Sequence, residues 1–351
     1  MKGLQCKELT GIDALTLTEL EDPKPGPDEV VIDVKIASVN FPDVLIIQGL
    51  YQFQPPLPFV PGGECSGIIS SIGDEVKNFA VGDNVFAMTG TGAFAEKLKA
   101  NHNSVMKIPN SMDHEVAAAL SMTYGTSLYA LKQRANLKAG ETLLVLGAAG
   151  GVGLAAVELG KAMGAKVIAA VSSQEKADVC IEHGADEVII YPSEDMDKDQ
   201  QKNLSKQIKE LSGGFGVNVI YDPVGGSYSE PALRAIAWEG RYLVIGFAAG
   251  PIPKIPLNLS LLKGCQIVGV FWGAWTGLDP EGNLNNFEEL FKLHAEGKIN
   301  PKVSDKFSLN DAALAIAHLK DRKAKGKVII NCESYPSSYS HVLNKLLLQF
   351  L

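Results

Sequence analysis

The sequence predicts an α/β protein of two domains, a β-rich domain followed by a doubly wound domain with a parallel sheet. Its 351 residues are enough for two domains of about 150 residues each. Residues 1–110 contain short β-rich runs between Gly and Pro turns, whereas strands and helices alternate after Pro109. This change of pattern predicts both the fold class and the order of the domains.

The first domain is predicted from half-buried strands. Within residues 28–40, apolar side chains occupy every second position from Val30 to Ile36, which is the period of a strand with one buried face. Two more β-rich runs lie at 65–72 and 84–88 and are separated by Gly-Asp turns. The pattern therefore predicts a compact, mostly antiparallel β unit.

The second domain is predicted from repeated strand and helix units. A helix over 115–135 leads into it, and the alternation that follows has the spacing of right-handed crossovers. Because the alternation stops after Trp275, the last two strands are expected at one edge of the sheet. The predicted strands are 141–147, 166–171, 187–190, 217–221, 240–245 and 266–271, and the predicted helices are 153–163, 174–183, 201–211 and 229–238.

The domain boundaries follow from these patterns. Residues 1–125 are assigned to the first domain and residues 126–274 to the second. Residues 275–331 are too few for a third core and are expected to return to the first domain; they hold predicted helices near 286–296 and 311–320 and a strand at 327–332. Residues 332–351 form a C-terminal tail, in which 341–351 has the spacing of an amphipathic helix expected to dock on the protein.

Composition and charge exclude several classes of function. The net charge of −8, from 32 basic and 40 acidic residues, disfavours binding to nucleic acid or to an anionic membrane. The five cysteines are scattered and contain no CxxC pair, so neither a disulfide framework nor a four-thiolate zinc site is expected. Since no signal peptide or membrane-spanning stretch is found either, a cytoplasmic protein is expected.

A glycine-rich turn predicts a dinucleotide site. The strand at 141–147 is followed by Ala-Ala-Gly-Gly-Val-Gly, ending at Gly153, and then by a helix. Gly150 would let the backbone approach a pyrophosphate, the N–H groups of Gly151 and Val152 would point at its oxygens, and Gly153 would let the helix pack closely on the strand. The alternative is a purely structural glycine turn.

The end of the next strand predicts NADPH in place of NADH. An NAD site would have an acidic residue there for the ribose 2′-hydroxyl. This chain has Ser172 and Ser173, with Lys176 one helical turn further on, and these can hydrogen-bond and neutralise a 2′-phosphate. The alternative is a capping box between Ser172 and Glu175, which would leave Ser173 and Lys176 available.

The chain resembles the zinc-free quinone oxidoreductase, or zeta-crystallin-like, branch of the medium-chain dehydrogenase/reductase superfamily. The resemblance covers residues 1 to about 331 and implies a GroES-like catalytic domain and a Rossmann domain. It is carried by the following motifs: Asn-Phe-Pro-Asp-Val-Leu at 40–45, Gly-Leu-Tyr at 49–51, Pro-Phe-Val-Pro-Gly at 58–62 with Glu64 and Ser66-Gly67, Val-Gly-Asp at 81–83, Thr-Tyr-Gly-Thr at 123–126, the glycine turn, Asp-Pro-Val-Gly-Gly at 222–226 and Gly-Lys-Val at 326–328.

The sequence departs from the zinc-containing members of that superfamily. It has Asn40 where those enzymes have a cysteine ligand, and Gly63 where they have a histidine ligand before the glutamate. The lobe of four closely spaced cysteines is also missing. The resemblance therefore implies an enzyme with no bound metal.

The resemblance also implies a set of cofactor-binding residues. Those of the parallel sheet follow its strand ends, where ligands of such sheets bind. For the aromatic residues of this set, core packing or a dimer contact is the alternative. The set comprises Gly150, Gly151, Val152, Ser172, Ser173, Lys176, Tyr191, Val224, Gly225, Gly246, Phe247, Phe271 and Trp272, with Asn40, Thr126 and Lys327 on the nicotinamide and phosphate side.

The implied reaction is hydride transfer from NADPH to a quinone or an α,β-unsaturated carbonyl compound. Tyr51 and Asn40 are the candidate catalytic residues, as hydrogen-bond donors to the acceptor's developing oxyanion. Enoyl-thioester reductases have a proton-donating tyrosine in a stretch similar to Ile-Gln-Gly-Leu-Tyr at 47–51, so such an activity is one alternative, and a purely structural ring at Tyr51 is another. A further alternative is an NADPH-binding protein with little turnover, crystallin-like or RNA-binding.

A homodimer is also implied. An uncovered apolar edge of a parallel sheet can pair with another chain. Since relatives pair this edge across a two-fold axis, a dimer interface centred on 267–270 is expected.

Overall fold

The computed structural model of the protein describes residues 1–333 and confirms the predicted α/β class. The tail from 334 onward, including the helix predicted over 341–351, lies outside the described residues. Within the described chain, no helix is both long enough and apolar enough to cross a bilayer.

Within the described residues, the first unit contains Met1–Ala118, Asp305–Lys323 and 328–333. A seven-stranded sheet forms its centre, in the order β14, β15, β3, β4, β5, β7, with β6 also pairing with β3; β1 and β2 form a separate ribbon. The elements are β1 (Lys2–Cys6), β2 (Leu15–Glu19), β3 (Glu29–Val39), α1 (Phe41–Ile46), β4 (Glu64–Ile72), β5 (Asn84–Met88), β6 (Lys97–Asn101), β7 (Val105–Lys107), β14 (Val303–Ser308), α10 (Ala312–Lys320) and β15 (Lys327–Asn331).

The long strand β3 organises this unit. It pairs antiparallel with β4, β6 and β15, as the alternation from Val30 to Ile36 requires of a central strand. Val30 and Ile32 are fully buried. The antiparallel β-rich character predicted for residues 1–110 is therefore confirmed, and the C-terminal strand β15 completes the sheet.

The second unit contains Ala119–Ser304 and Ala324–Lys327. Its six strands are all parallel, in the order β10, β9, β8, β11, β12, β13, so the two last strands lie at one edge, as predicted. The elements are α2 (His114–Leu128), β8 (Thr142–Leu146), α3 (Gly151–Ala162), β9 (Lys166–Val171), α4 (Gln174–Glu182), β10 (Glu187–Ile190), α5 (Lys198–Leu211), β11 (Val217–Asp222), α6 (Ser229–Arg234), β12 (Ile236–Val244), α7 (Asn258–Lys263), β13 (Gln266–Gly269), α8 (Trp272–Leu278) and α9 (Pro280–Ala295).

Several predicted elements differ from the structure at their ends. The helix predicted over 229–238 ends at Arg234, because Ile236 already pairs with Val217 as the first residue of β12. The strand predicted over 266–271 ends at Gly269, and Trp272 begins a helix. The helix predicted over 115–135 is α-helical to Leu128 and π-helical from there to Arg134.

The unit boundaries also differ from the predicted ones. The division after the first domain falls between Ala118 and Ala119, not after 125, and residues 275–304 belong to the second unit. Aromatic packing explains the second difference: Trp275 stacks on Tyr129 with ring centroids 4.5 Å apart, and Trp272 packs against Phe287. Of the described residues in 275–333, Asp305–Lys323 and 328–333 belong to the first unit.

Candidate functional site

The predicted glycine turn joins β8 to α3. Gly147 has a φ of +59°, in the left-handed region that favours glycine, and its N–H donates to the hydroxyl of Tyr191 at 3.1 Å. Gly150 is the N-cap of α3 in an extended conformation, and the described chain provides no side-chain cap there. The first N–H groups of α3 are thus left for another acceptor, which is the geometry of an anion site.

The glycines of this turn have different roles. A Cβ on Gly153 would lie 2.4 Å from the carbonyl oxygen of Gly147 and 2.8 Å from the Cα of Ala148, so helix packing requires glycine there. A Cβ on Gly150 would meet its nearest atom, the same oxygen, at 3.4 Å, an ordinary contact. Neither backbone conformation nor internal packing requires glycine at 150, which fits the predicted need for a ligand to approach closely.

The first turn of α4 contains the residues predicted to bind a 2′-phosphate. The Nζ of Lys176 donates to the Oγ of Ser172 at 3.2 Å. Ser173, not Ser172, is the N-cap, and its Oγ accepts the N–H of Lys176 at 3.3 Å, so the capping box considered for Ser172 and Glu175 is wrong. The physical reason is that β9 continues to Val171 and the helix starts at Gln174, which leaves Ser173 at the boundary. Ser172 and Lys176 therefore form one polar pair at this helix N-terminus.

A buried carboxylate organises the Asp-Pro-Val-Gly-Gly turn. The Oδ1 of Asp222 accepts the N–H groups of Val224 and Gly225, each at 2.8 Å. Its Oδ2 accepts the hydroxyls of Ser229, at 2.7 Å, and Tyr242. Burial raises the pKa of Tyr242 and the charge of Asp222 adds to the effect, so this hydroxyl stays protonated. Asp222 was not among the predicted site residues, although an acid at the end of a buried strand before such a turn is a signal for this role.

The aromatic candidates lie in different surroundings. Phe247 packs over Gly225, since a Cβ on that glycine would be 2.9 Å from the ring. Gly246 precedes it and has room for a Cβ, 3.4 Å from the carbonyl oxygen of Pro223. Phe271 is 59% exposed, whereas Trp272 is 6% exposed and packs against Gly125. The contacts of Trp272 are those of the core-packing alternative.

A buried lysine faces the start of α3. A Cβ on Gly151 would lie 3.1 Å from Thr123 and 3.7 Å from the Cδ of Lys327, which is buried. Thr126 is half-buried three residues after Thr123 in α2. The carbonyl of Val152 accepts a hydrogen bond from Ser127 at 3.0 Å. The structure therefore brings Gly151, Val152 and Lys327 together within the second unit.

A second buried carboxylate, Glu158, ties α3 to its neighbours. It accepts from the hydroxyl of Tyr124 at 2.5 Å and from the backbone N–H of Asn300 at 2.9 Å, and it lies 2.5 Å from the Nδ1 of His183. Burial raises the pKa of Tyr124, and Glu158 adds to the effect. These contacts are those of a packing residue at Tyr124.

The two predicted catalytic residues lie in the first unit. Asn40 is the buried N-cap of α1; its backbone N–H donates to Asp43 at 2.7 Å and its Nδ2 to Glu64 at 2.7 Å. Tyr51 is half-buried in the loop after α1, and burial, followed by the charge of Asp43, raises the pKa of its hydroxyl. The hydroxyl is therefore protonated at neutral pH and can donate a hydrogen bond.

Asn40, the residue expected at the position of a cysteine zinc ligand, forms a hydrogen bond with a neighbouring carboxylate. The Nδ2 of Asn40 donates to the Oε1 of Glu64, a contact between two buried groups. Among residues 1–333, no group of three or more His, Cys, Asp or Glu side chains is arranged to hold a metal ion.

Comparisons with known proteins agree with this fold. Residues 26–110 match the family model of the alcohol dehydrogenase GroES-like domain, and residues 151–295 match that of the zinc-binding dehydrogenase. These two matches confirm the predicted pairing of a GroES-like domain with a Rossmann-like domain.

Individual relatives cover nearly the whole chain. Quinone oxidoreductase-like protein 2 homolog of Nematostella vectensis is 38% identical over 94% of this chain and 88% of its own length. Acryloyl-coenzyme A reductase of Sulfurisphaera tokodaii is 31% identical over 90% of this chain and 95% of its own. The crystal structure of Escherichia coli quinone oxidoreductase complexed with NADPH is 30% identical, has a TM-score of 0.85, and is matched over 94% of this chain and all of that one.

Proposed function

Since this chain belongs to the quinone oxidoreductase branch of the medium-chain dehydrogenase/reductase superfamily, we propose that it is an NADPH-dependent, zinc-independent reductase of quinones or α,β-unsaturated carbonyl compounds. The observation that carries this proposal is the pair of helix N-termini, one without a side-chain cap at the glycine turn and one with the polar pair Ser172 and Lys176. NADPH would supply the hydride, and the protein would orient the acceptor and exclude water.

The cofactor assignment is supported by the chemistry of the two helix starts. The N–H groups at the start of α3 suit a pyrophosphate, and the Ser172 and Lys176 pair suits a 2′-phosphate, which needs hydroxyl donors and positive charge. The solved relative from E. coli was crystallised with NADPH. The other predicted cofactor residues of the second unit, such as Gly225 and Phe247, lie on the turns that follow the strands of the same sheet.

We assign the hydrogen bond to the acceptor's oxygen to Tyr51. Its hydroxyl is in the donor form, and a donor aimed at a developing oxyanion lowers the barrier for hydride transfer. Asn40 is the weaker candidate, because its Nδ2 already donates to Glu64. Asn40 is better suited to fix the start of α1, from which the loop that carries Tyr51 continues.

The test is a steady-state assay of NADPH oxidation with ortho-quinones, para-quinones, alkenals and crotonyl-CoA. Turnover with a quinone or an alkenal supports the proposal, and Tyr51→Phe should lower kcat about tenfold to a hundredfold while NADPH binding is unchanged. Tyr191→Phe, which removes a hydroxyl beside the glycine turn, is the matched control and should act on cofactor binding. Tight NADPH binding without turnover on any acceptor would instead favour the binding-protein alternative.

Zinc independence is tested separately. We expect EDTA to leave the activity intact and elemental analysis to find far less than one zinc per chain. Stoichiometric zinc that is linked to activity would contradict this part of the proposal.

Enoyl-thioester reduction is the second candidate function. It is favoured by the stretch at 47–51 and by the similarity to an acryloyl-coenzyme A reductase. A higher kcat/KM for crotonyl-CoA than for any quinone would support it over quinone reduction.

We also propose a homodimer that acts in the cytoplasm and binds neither nucleic acid nor membrane. The net charge of −8 argues against polyanion binding. β13 is an edge strand whose Ile267 is 42% exposed, so a second copy can extend the sheet there. Light scattering should report a dimer at micromolar concentration, and a monomer would refute it.

A further inference from the structure

The segment Ala324–Lys327 reaches the starts of both cofactor-binding helices of the second unit. At α3, the carbonyl oxygen of Gly326 and the Cδ of Lys327 lie 3.8 and 3.7 Å from a Cβ built on Gly151. At α4, the Nζ of Lys325 forms an ion pair with the Oε1 of Glu175. Three consecutive residues of a distant part of the chain therefore contact both helix starts.

The backbone of this segment is fixed. The N–H of Lys327 donates to the carbonyl oxygen of Lys302 at 2.8 Å. Gly326 has a φ of +139°, and a Cβ there would lie 2.6 Å from the same oxygen. Lys325 directly precedes these two fixed residues, and its side chain extends from there to Glu175 in the first turn of α4.

Glu175 is an unfavourable neighbour for a phosphate. It is the second residue of α4 and directly precedes Lys176, in the same turn as the pair predicted to hold the 2′-phosphate. A carboxylate at the start of this helix repels a second anion that binds there. The charges of Glu175 and Lys176 sum to zero, and Lys325 makes the sum of the three positive.

We infer that Lys325 is a specificity-determining residue for the 2′-phosphate of NADPH and that it acts by neutralising Glu175. This inference rests on the proposed use of NADPH. Two further carboxylates lie on α4: Asp178, which accepts from the neutral amide of Gln174 at 2.8 Å, and Glu182, which is 3.9 Å from Lys302. The pair itself is partly exposed, 35% for Lys325 and 69% for Glu175, so its effect is moderate and depends on salt.

The test measures binding of adenosine 2′,5′-bisphosphate and of AMP by titration calorimetry, without turnover. Lys325→Gln should raise the Kd for the bisphosphate about threefold to fivefold and leave the Kd for AMP unchanged. Lys325→Arg should retain the affinity of the unaltered protein. Lys206→Gln, which removes the same charge from an exposed ion pair with Glu210 on α5, is the control and should change neither value.

A double-mutant cycle tests the mechanism. Glu175→Gln alone should tighten bisphosphate binding, and Lys325→Gln added to it should change the Kd less than about twofold. Three results would each overturn the inference. Lys325→Gln could leave the bisphosphate affinity unchanged, or it could weaken AMP binding as much as bisphosphate binding. Lys325→Gln could also weaken bisphosphate binding in the Glu175→Gln background as much as it does in the unaltered protein. Failure of the NADPH proposal is distinguishable, because the unaltered protein would then bind the bisphosphate no better than AMP.

Discussion

Helix α3 begins after Gly150, in a turn of alanines and glycines. Helix α4 instead begins after two serines, Ser172 and Ser173, and has Lys176 in its first turn. At α3 the described chain offers backbone N–H groups without a side-chain cap. At α4 the cap is internal, and a lysine and a serine face each other at 3.2 Å. Both helices follow strands of one parallel sheet, so their different starts do not arise from topology.

The difference shows two ways of preparing a helix N-terminus for an anion. Backbone N–H groups alone can bind any pyrophosphate, and side chains must be absent for the ligand to come close. Side chains at the start of α4 can distinguish a 2′-phosphate from a 2′-hydroxyl, because a positive charge with hydroxyl donors stabilises the charged phosphate more than the neutral hydroxyl. Substitutions at the two helices should therefore differ in whether they distinguish NADPH from NADH.

The largest effect is expected at the glycine turn. Gly150→Ala should weaken NADPH and NADH binding alike, by about 1 to 3 kcal/mol, since its methyl group would enter the space of the pyrophosphate but not that of the protein. Titrations with each cofactor measure the loss of affinity, and the melting temperature shows whether the variant is as stable as the unaltered protein. The control is Gly153→Ala: its Cβ would clash with backbone atoms of the protein, so this variant should lower the melting temperature. Unchanged cofactor binding in Gly150→Ala would break the contrast between the two helices.

The second effect is selective. Lys176→Ala removes a charge-assisted contact to the 2′-phosphate and should raise the KM for NADPH about tenfold, with the KM for NADH nearly unchanged. The measurement is the ratio of kcat/KM for the two cofactors in the variant and in the unaltered protein. Equal loss for both cofactors would contradict the assignment of α4 to the 2′-phosphate.

The same contrast explains what the sequence could predict. The glycine turn was identified because its residues are local and their spacing between a strand and a helix is specific. The cap of α4 was assigned to the wrong serine, since two adjacent serines are equally good caps and only the end of β9 decides between them. Lys325 gave no signal, because the residue it pairs with lies 150 positions away in the chain.

Elsewhere the fold was predicted better than its element ends. The order of strands at the sheet edge followed from the alternation of strands and helices. The helix predicted over 229–238 was too long: its sequence has helical propensity throughout, but from Ile236 onward the chain pairs with β11 as a strand. The role of Asp222 could not be predicted, since its four hydrogen bonds come from the turn after β11, the start of α6 and β12, which only the folded chain brings together.

Ionic strength should affect the binding of NADPH and of NADH to different extents. The charges at α4 are partly exposed, so raising the salt concentration from about 50 to 300 mM should weaken NADPH binding several-fold more than NADH binding. Titration of both cofactors across this range measures the difference. Lys176→Ala should bring the two salt dependences closer together, and a salt response that is identical for both cofactors in the unaltered protein would show that charge does not carry the discrimination.

The smallest effects are expected from substitutions of the two serines before α4, one of which should change cofactor binding and the other stability. Ser172→Ala removes a hydroxyl that faces Lys176 Nζ and should weaken NADPH binding a few-fold, with stability unchanged, because its Oγ does not cap the helix. Ser173→Ala removes the N-cap and should cost about 1 kcal/mol of unfolding free energy, measured by denaturant titration. Its smaller effect on cofactor selectivity would come through fraying of the first turn of α4. If Ser172→Ala destabilised the protein and Ser173→Ala did not, the cap would lie at Ser172 after all, and the hydroxyl offered to the phosphate would have to be that of Ser173.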